Sequence, residues 1–109
     1  MIRIEYSPSA LEDLQQLIEY LTIQHSENTA KKILKQITSD ISRLEIFPLS
    51  GASLSKMIDA PTDYYYIFTE KNFVFYRISL NSVRIIRILN EKQNYLIHLF
   101  KDAVDDTEK

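Results

Sequence analysis

The run from Asn72 to Phe100 constrains the fold most, because two strand-patterned segments are joined by a link short enough to read as a hairpin. Phe73 to Leu80 and Val83 to Leu89 flank Asn81-Ser82, and a two-residue connection sets the cross-strand register. With Leu80 facing Val83, Ile78 meets Ile85 and Tyr76 meets Arg87 on one face. Alternation with period two puts Phe73, Phe75 and Arg77 on the other face, together with Arg84, Ile86, Ile88 and Asn90. Both faces are largely apolar with embedded arginines, so the sheet expects cover on both sides.

A chain of 109 residues makes one domain, expected over residues 1–101, followed by an acidic, solvated and disordered tail at 102–109. The absence of cysteine removes disulfides and thiolate chemistry. The two histidines, His25 and His98, lie far apart in sequence and read as surface residues, so no metal site and no cofactor are expected. A formal net charge of −2 gives no global attraction to nucleic acid, and any such contact has to use a local basic patch. No apolar run is long enough to span a bilayer, and Met1 to Glu5 begins a strand rather than a signal peptide. A cytoplasmic location is the expectation.

Ile2, Ile4 and Tyr6 alternate with Arg3 and Glu5, the pattern of a half-buried strand. Two helix starts compete next: Ser7 as N-cap before Pro8, and the Ser9/Glu12 capping box. Leu11, Leu14, Leu17, Ile18 and Leu21 trace one stripe to about His25, with Glu12 and Asp13 assigned to the solvated side. Ser26 caps a second helix whose stripe is Ala30, Ile33, Leu34, Ile37, Ile41 and Leu44, ending before Phe47-Pro48. The two form an antiparallel helical hairpin. Residues 48–61 hold the only glycine, Gly51, and Lys56 as their only basic group, and read as a long functional loop. Tyr64 to Phe68 returns to strand, turned back by Glu70 to Asn72, and its tyrosines are explained by β propensity without a ligand.

These features resemble the RelE/ParE superfamily of type II toxin–antitoxin toxins. Ala10, Asp13-Leu14, Ile18 and Tyr20 are similar to that family's first-helix pattern, and Pro48-x-x-Gly51 to its post-helix loop. Val74 to Ile78, followed by Val83 through Asn90-Glu-Lys-Gln-Asn-Tyr95, resembles its penultimate hairpin and the basic stretch after it. The resemblance covers about residues 2 to 100. It implies an α+β domain of order β-α-α-β-β-β-α, an antiparallel sheet packed on one face by the N-terminal helical hairpin.

The resemblance also implies a growth inhibitor linked to plasmid stabilisation and neutralised by a cognate antitoxin, with no membrane partner. One mode of action is a metal-independent, ribosome-dependent mRNA endonuclease; another is a poison of DNA gyrase that acts by binding; a third possibility is a non-toxic relic that still binds antitoxin. Many nuclease members carry arginine near Phe73 and histidine or a basic residue near Asn90, and this chain has neither. Phenylalanine cannot stabilise phosphate charge and asparagine does not titrate near neutrality, which tilts the reading towards gyrase. Arg77, Arg84, Arg87, Lys92 and Tyr95 are the target-binding candidates, and Lys56, Arg77, Arg84, Lys92 and Tyr95 the catalytic ones if the chain is a nuclease. Phe75, Ile86 and Ile88 are the expected antitoxin-binding residues, with packing along the helical hairpin as the alternative.

Overall fold

The computed structural model describes residues 2–100; the acidic end expected at 102–109 lies outside the described residues. Strand β1 (Arg3–Tyr6) leads into α1 (Pro8–Gln24) and α2 (Glu27–Ser42), followed by two 3-10 turns, Arg43–Glu45 and Pro48–Ser50. Then come β2 (Ala52–Ser53), α3 (Leu54–Ile58), β3 (Tyr64–Thr69), β4 (Asn72–Ile78) and β5 (Ser82–Asn90), and residues 95–100 are helical. The five strands form one sheet in the order β1-β5-β4-β3-β2. Among the described residues the β1–β5 pair is parallel and the β2–β3, β3–β4 and β4–β5 pairs are antiparallel.

Of the two competing starts for α1, Ser7 prevails. Its hydroxyl accepts the Ala10 N–H at 3.0 Å, and Pro8 fills the first turn where its missing N–H costs nothing. The same hydroxyl donates to the Ile86 carbonyl at 2.7 Å, so one side chain caps the helix and ties it to the sheet. Ser26 caps α2 in the same way through the Thr29 N–H. The segment 48–61, read from sequence as an aperiodic loop, instead contains a 3-10 turn, the short strand β2 and α3.

The helices cover one face of the sheet, where Ala10, Leu14, Ile37 and Ile41 pack on Val74, Tyr76, Val83, Ile85 and Ile88. On the far face Phe75, Ile86 and Leu89 form a second cluster with Leu54 of α3, Tyr64 and Leu99. The chain therefore roofs its own far face, using a five-residue helix and the helical residues 95–100 rather than a full second layer.

The hairpin register differs from the expectation. The turn residues are Leu80 and Asn81, with Ser79 and Ser82 closing it: the Ser79 N–H donates to the Ser82 carbonyl at 2.9 Å and their hydroxyls meet at 2.6 Å. Ile78 consequently faces Val83, and Tyr76 faces Ile85 rather than Arg87. A bulge then skips Ile86, so that Phe75 faces Arg87 and Val74 faces Ile88. This extra residue breaks strict alternation and sends Ile88 to the helix side, away from Phe75 and Ile86.

Candidate functional site

On the far face one row of side chains crosses four strands. Glu5 of β1 pairs with Arg84 of β5, Arg84 with Arg77 of β4, and Arg77 with Tyr64 of β3. Two guanidinium groups directly opposite repel, and the surroundings offset this unequally. Arg77 donates to one Asp63 carboxylate oxygen from Nε at 3.0 Å and Nη2 at 2.8 Å, and lies 5.5 Å from the centre of the Tyr64 ring. Arg84 is exposed, and its side chain has no hydrogen bond or ion pair among the described residues. An exposed cation beside a second, anchored cation is suited to an anionic group such as a phosphate or carboxylate.

Arg87 occupies a different place. Its Nε and Nη2 donate to Asp13 Oδ2 and Oδ1 at 2.8 and 2.9 Å, while Nη1 reaches the His98 carbonyl at 3.4 Å. With side chains only 14% and 9% exposed, Arg87 and Asp13 are an internal clamp joining α1, β5 and the C-terminal helical residues. Asp13 is therefore not on a solvated face as its neighbour Glu12 is, and Arg87 is not presented outward for a target.

Lys92 and Tyr95 are at the other end of β5. From Arg84 to Asn90 is six residues of strand, roughly 20 Å, so Lys92 does not extend the Arg77–Arg84 pair. Its N–H donates to Asn90 Oδ1 at 2.9 Å while its ammonium group is exposed. Near it, between α1 and the ends of the strands, lies a cavity of about 770 Å³ bordered by Leu17, Tyr20, Lys71, Asn90 and Lys92. Tyr95 folds back onto the far face against Phe73 and Phe75, with ring centres 4.7 and 5.8 Å apart. Phe73 is thus part of an aromatic stack, and Asn90 part of a turn in which its N–H donates to Gln93 Oε1 at 2.7 Å. Lys56 is exposed on α3.

Phe75, Ile86 and Ile88, the expected antitoxin contacts, are all buried. Phe75 and Ile86 lie under Leu54 and Leu99, and Ile88 lies under the helical hairpin. A partner cannot touch them unless those covers move.

Sequence reasoning missed Asp13, Asp63 and Glu5. Asp13 carried a legible signal: it lies three residues after Ala10 and four before Leu17, inside the apolar stripe, where a carboxylate requires a partner. Asp63 and Glu5 carried none, because Glu5 is placed by strand pairing and Asp63 by its side-chain contact with Arg77.

One hydroxyl fixes the segment that follows the helical hairpin. Tyr76 donates to the Pro48 carbonyl at 2.8 Å and accepts the Gly51 N–H at 3.1 Å. Burial raises the pKa of this phenol above its ordinary value; the Gly51 bond opposes the shift and the neighbouring Tyr65 adds to it. Tyr6 is raised by burial as well.

The chain is thus a small α+β domain with a helical hairpin on one sheet face and a paired-arginine row on the other. The sequence model of the ParE toxin of type II toxin–antitoxin systems, parDE, matches residues 4–95, and the chain belongs to that family. The fold is similar to that of a solved chain titled "Chromosomal ParDE TA system from P. aeruginosa", with a TM-score of 0.70 and 15% identity over 83% of this chain and 96% of that one. No curated protein matches the sequence. Among the described residues no helix is long and apolar enough to cross a membrane.

Proposed function

We propose that this toxin arrests bacterial growth by binding and poisoning DNA gyrase, and that a cognate antitoxin neutralises it in the cytoplasm. The observation that carries the reading is the Arg77–Arg84 pair, two cations adjacent on an exposed row. Such a site suits an anionic or polar surface, and the ribonuclease pattern of a charged group near Phe73 and a titratable one near Asn90 has no counterpart at those positions. Phe73 and Asn90, packed and hydrogen-bonded as described, supply no charge in place of one. The antitoxin packs along the helical hairpin, where Leu11, Tyr20 and Ile23 of α1 are exposed.

Induced expression in a sensitive bacterium tests the mode of action. A gyrase poison triggers a DNA-damage response and leaves gyrase-dependent breaks. Codon-phased cleavage of translated mRNA with normal supercoiling overturns the reading in favour of the ribosome-dependent nuclease.

A further inference from the structure

Strand β1 ends the sheet, and its outer edge is self-complementary in one register only. Arg3 and Ser7 donate their N–H groups to the β5 side, to the Asn81 and Ile85 carbonyls at 3.0 and 2.9 Å. Backbone groups alternate between the two edges of a strand, so Ile4 and Tyr6 turn theirs outward, where no strand follows among the described residues. The side chains sort by face as well. Arg3 and Glu5 are exposed on the far face, while Ile2, Ile4 and Tyr6 are half-buried against the helix-side core.

We propose that this edge pairs antiparallel with β1 of a second copy of the chain, about a two-fold axis through Ile4. The outward-turned residues must meet one another, which leaves three central registers. Centring on Arg3 places Arg3 against Arg3, and centring on Glu5 places Glu5 against Glu5; both set like charges directly opposite. Centring on Ile4 places Arg3 against Glu5 twice, and on the other face sets Ile4 against Ile4 and Ile2 against Tyr6 twice. Charge and apolar faces agree in this register alone. On the helix-covered face the 3-10 turn Arg43–Glu45 packs over β1 and β5 alike, and the next residues, Ile46 and Phe47, are 73% and 63% exposed. The joined sheet has ten strands and carries both arginine rows on one face, with the two Arg84 side chains three strand spacings apart, roughly 15 Å. The inference stands on the edge itself and does not depend on the cellular target.

Sedimentation of the purified full chain over a concentration series tests it. A reversible dimer is expected, with the Ile4 and Tyr6 amides gaining hydrogen-exchange protection as the dimer forms. Arg3→Glu alone and Glu5→Arg alone each set like charges opposite in both pairs and weaken the homodimer about tenfold or more. An equimolar mixture of those two variants restores complementarity and forms a heterodimer of near wild-type affinity. A chain that stays monomeric at all concentrations overturns the proposal, as does a dimer indifferent to both charge reversals or a mixture that fails to pair. Protection of Ile4 and Tyr6 that appears only when antitoxin is added overturns it too, since the edge then belongs to the antitoxin.

Discussion

Asp13 and Arg87, 74 residues apart in sequence, meet in a two-point ion pair that holds the first helix to the last strand. Asp13 Oδ2 also accepts the Ile88 N–H at 2.9 Å. The reason lies in unequal strand lengths. β1 pairs only with Ser82 to Ile85, whereas β5 runs to Asn90, so the rest of that edge lacks a strand partner. The Ser7 hydroxyl takes the Ile86 carbonyl, the Asp13 carboxylate takes the Ile88 N–H, and α1 thereby completes the hydrogen bonding that β1 leaves undone.

Removing one partner of this pair leaves the other charge buried. Arg87→Ala is expected to cost about 3–5 kcal/mol of folding stability, the scale for breaking a buried ion pair. Asp13→Ala costs no less, because the Ile88 N–H loses its acceptor too. In urea unfolding, the double variant is expected to lose clearly less than the sum of the two single losses.

Arg84 has the opposite character. Because its side chain is exposed and unbonded among the described residues, Arg84→Ala is expected to change stability by no more than about 0.5 kcal/mol. Loss of a charge-assisted contact to its target costs about 1.5–3 kcal/mol, or roughly ten- to a hundredfold in toxicity. Arg77→Ala behaves similarly but also gives up the exposed Asp63 pair, worth at most about 1 kcal/mol. Lys92→Ala and Tyr95→Phe have smaller effects. Growth assays paired with thermal melts and antitoxin pull-down check this; full toxicity in both arginine variants refutes the site.

The β3–β4 turn stores strain. Glu70 and Lys71 have φ of 49° and 66°, the left-handed region that L-residues with a Cβ enter at a cost of about 1–2 kcal/mol each. Replacing Glu70-Lys71 by Asn-Gly suits a turn with two positive φ values and is expected to raise stability by about 1–2 kcal/mol in chemical denaturation. An unchanged or lowered midpoint counts against the strain.

Alkaline pH should destabilise the fold. Tyr6 and Tyr76 hold their protons more tightly folded than unfolded, so the folded state binds more protons once pH passes the ordinary tyrosine value of about 10. Their contribution is whole below that pH and is lost as pH rises through the raised folded values. Tyr76→Phe is expected to flatten this loss while lowering stability at neutral pH by about 1–3 kcal/mol, since the Gly51 N–H and Pro48 carbonyl lose their partner. Gly51→Ala is destabilising as well, because a Cβ there would lie 2.6 Å from the Tyr66 carbonyl oxygen. Urea midpoints from pH 7 to 11 test both variants.

Local signals in the sequence were sufficient where the structure is local. Ser7 and Ser26 marked the helix starts, the apolar stripes marked the inner faces except at Leu11, which is 55% exposed, and the hairpin pattern put Arg77 and Arg84 on one face, where they stand opposite each other. What failed depended on one residue of register. Asn81-Ser82 looked the better turn, but Ser82 is held by pairing with Arg3 of β1, and the tip passes to Leu80, which at 95% exposure gains nothing from packing. The bulge at Ile86 then moved Ile88 and Arg87 to other partners. Neither event leaves a trace in periodicity, because each is settled by contacts with β1 and α1, some eighty residues earlier. The roof over the far face was half legible: the family resemblance implied a C-terminal helix, found at residues 95–100, whereas α3 is too short to show a stripe.

The parallel pairing of β1 with β5 also sets an order of events. Among the described residues no other strand lies beside β1, so β1 has no ladder to join until β5 is present. The Ser7–Ile86 bond closes a span of 79 residues, an entropic cost of about 4 kcal/mol for a flexible chain. The helical hairpin and the β3–β4–β5 meander are local and form without waiting. The helical hairpin and the meander can thus hold their secondary structure while β1 remains unplaced, and the clamp that joins α1 to β5 is the step that waits for β5.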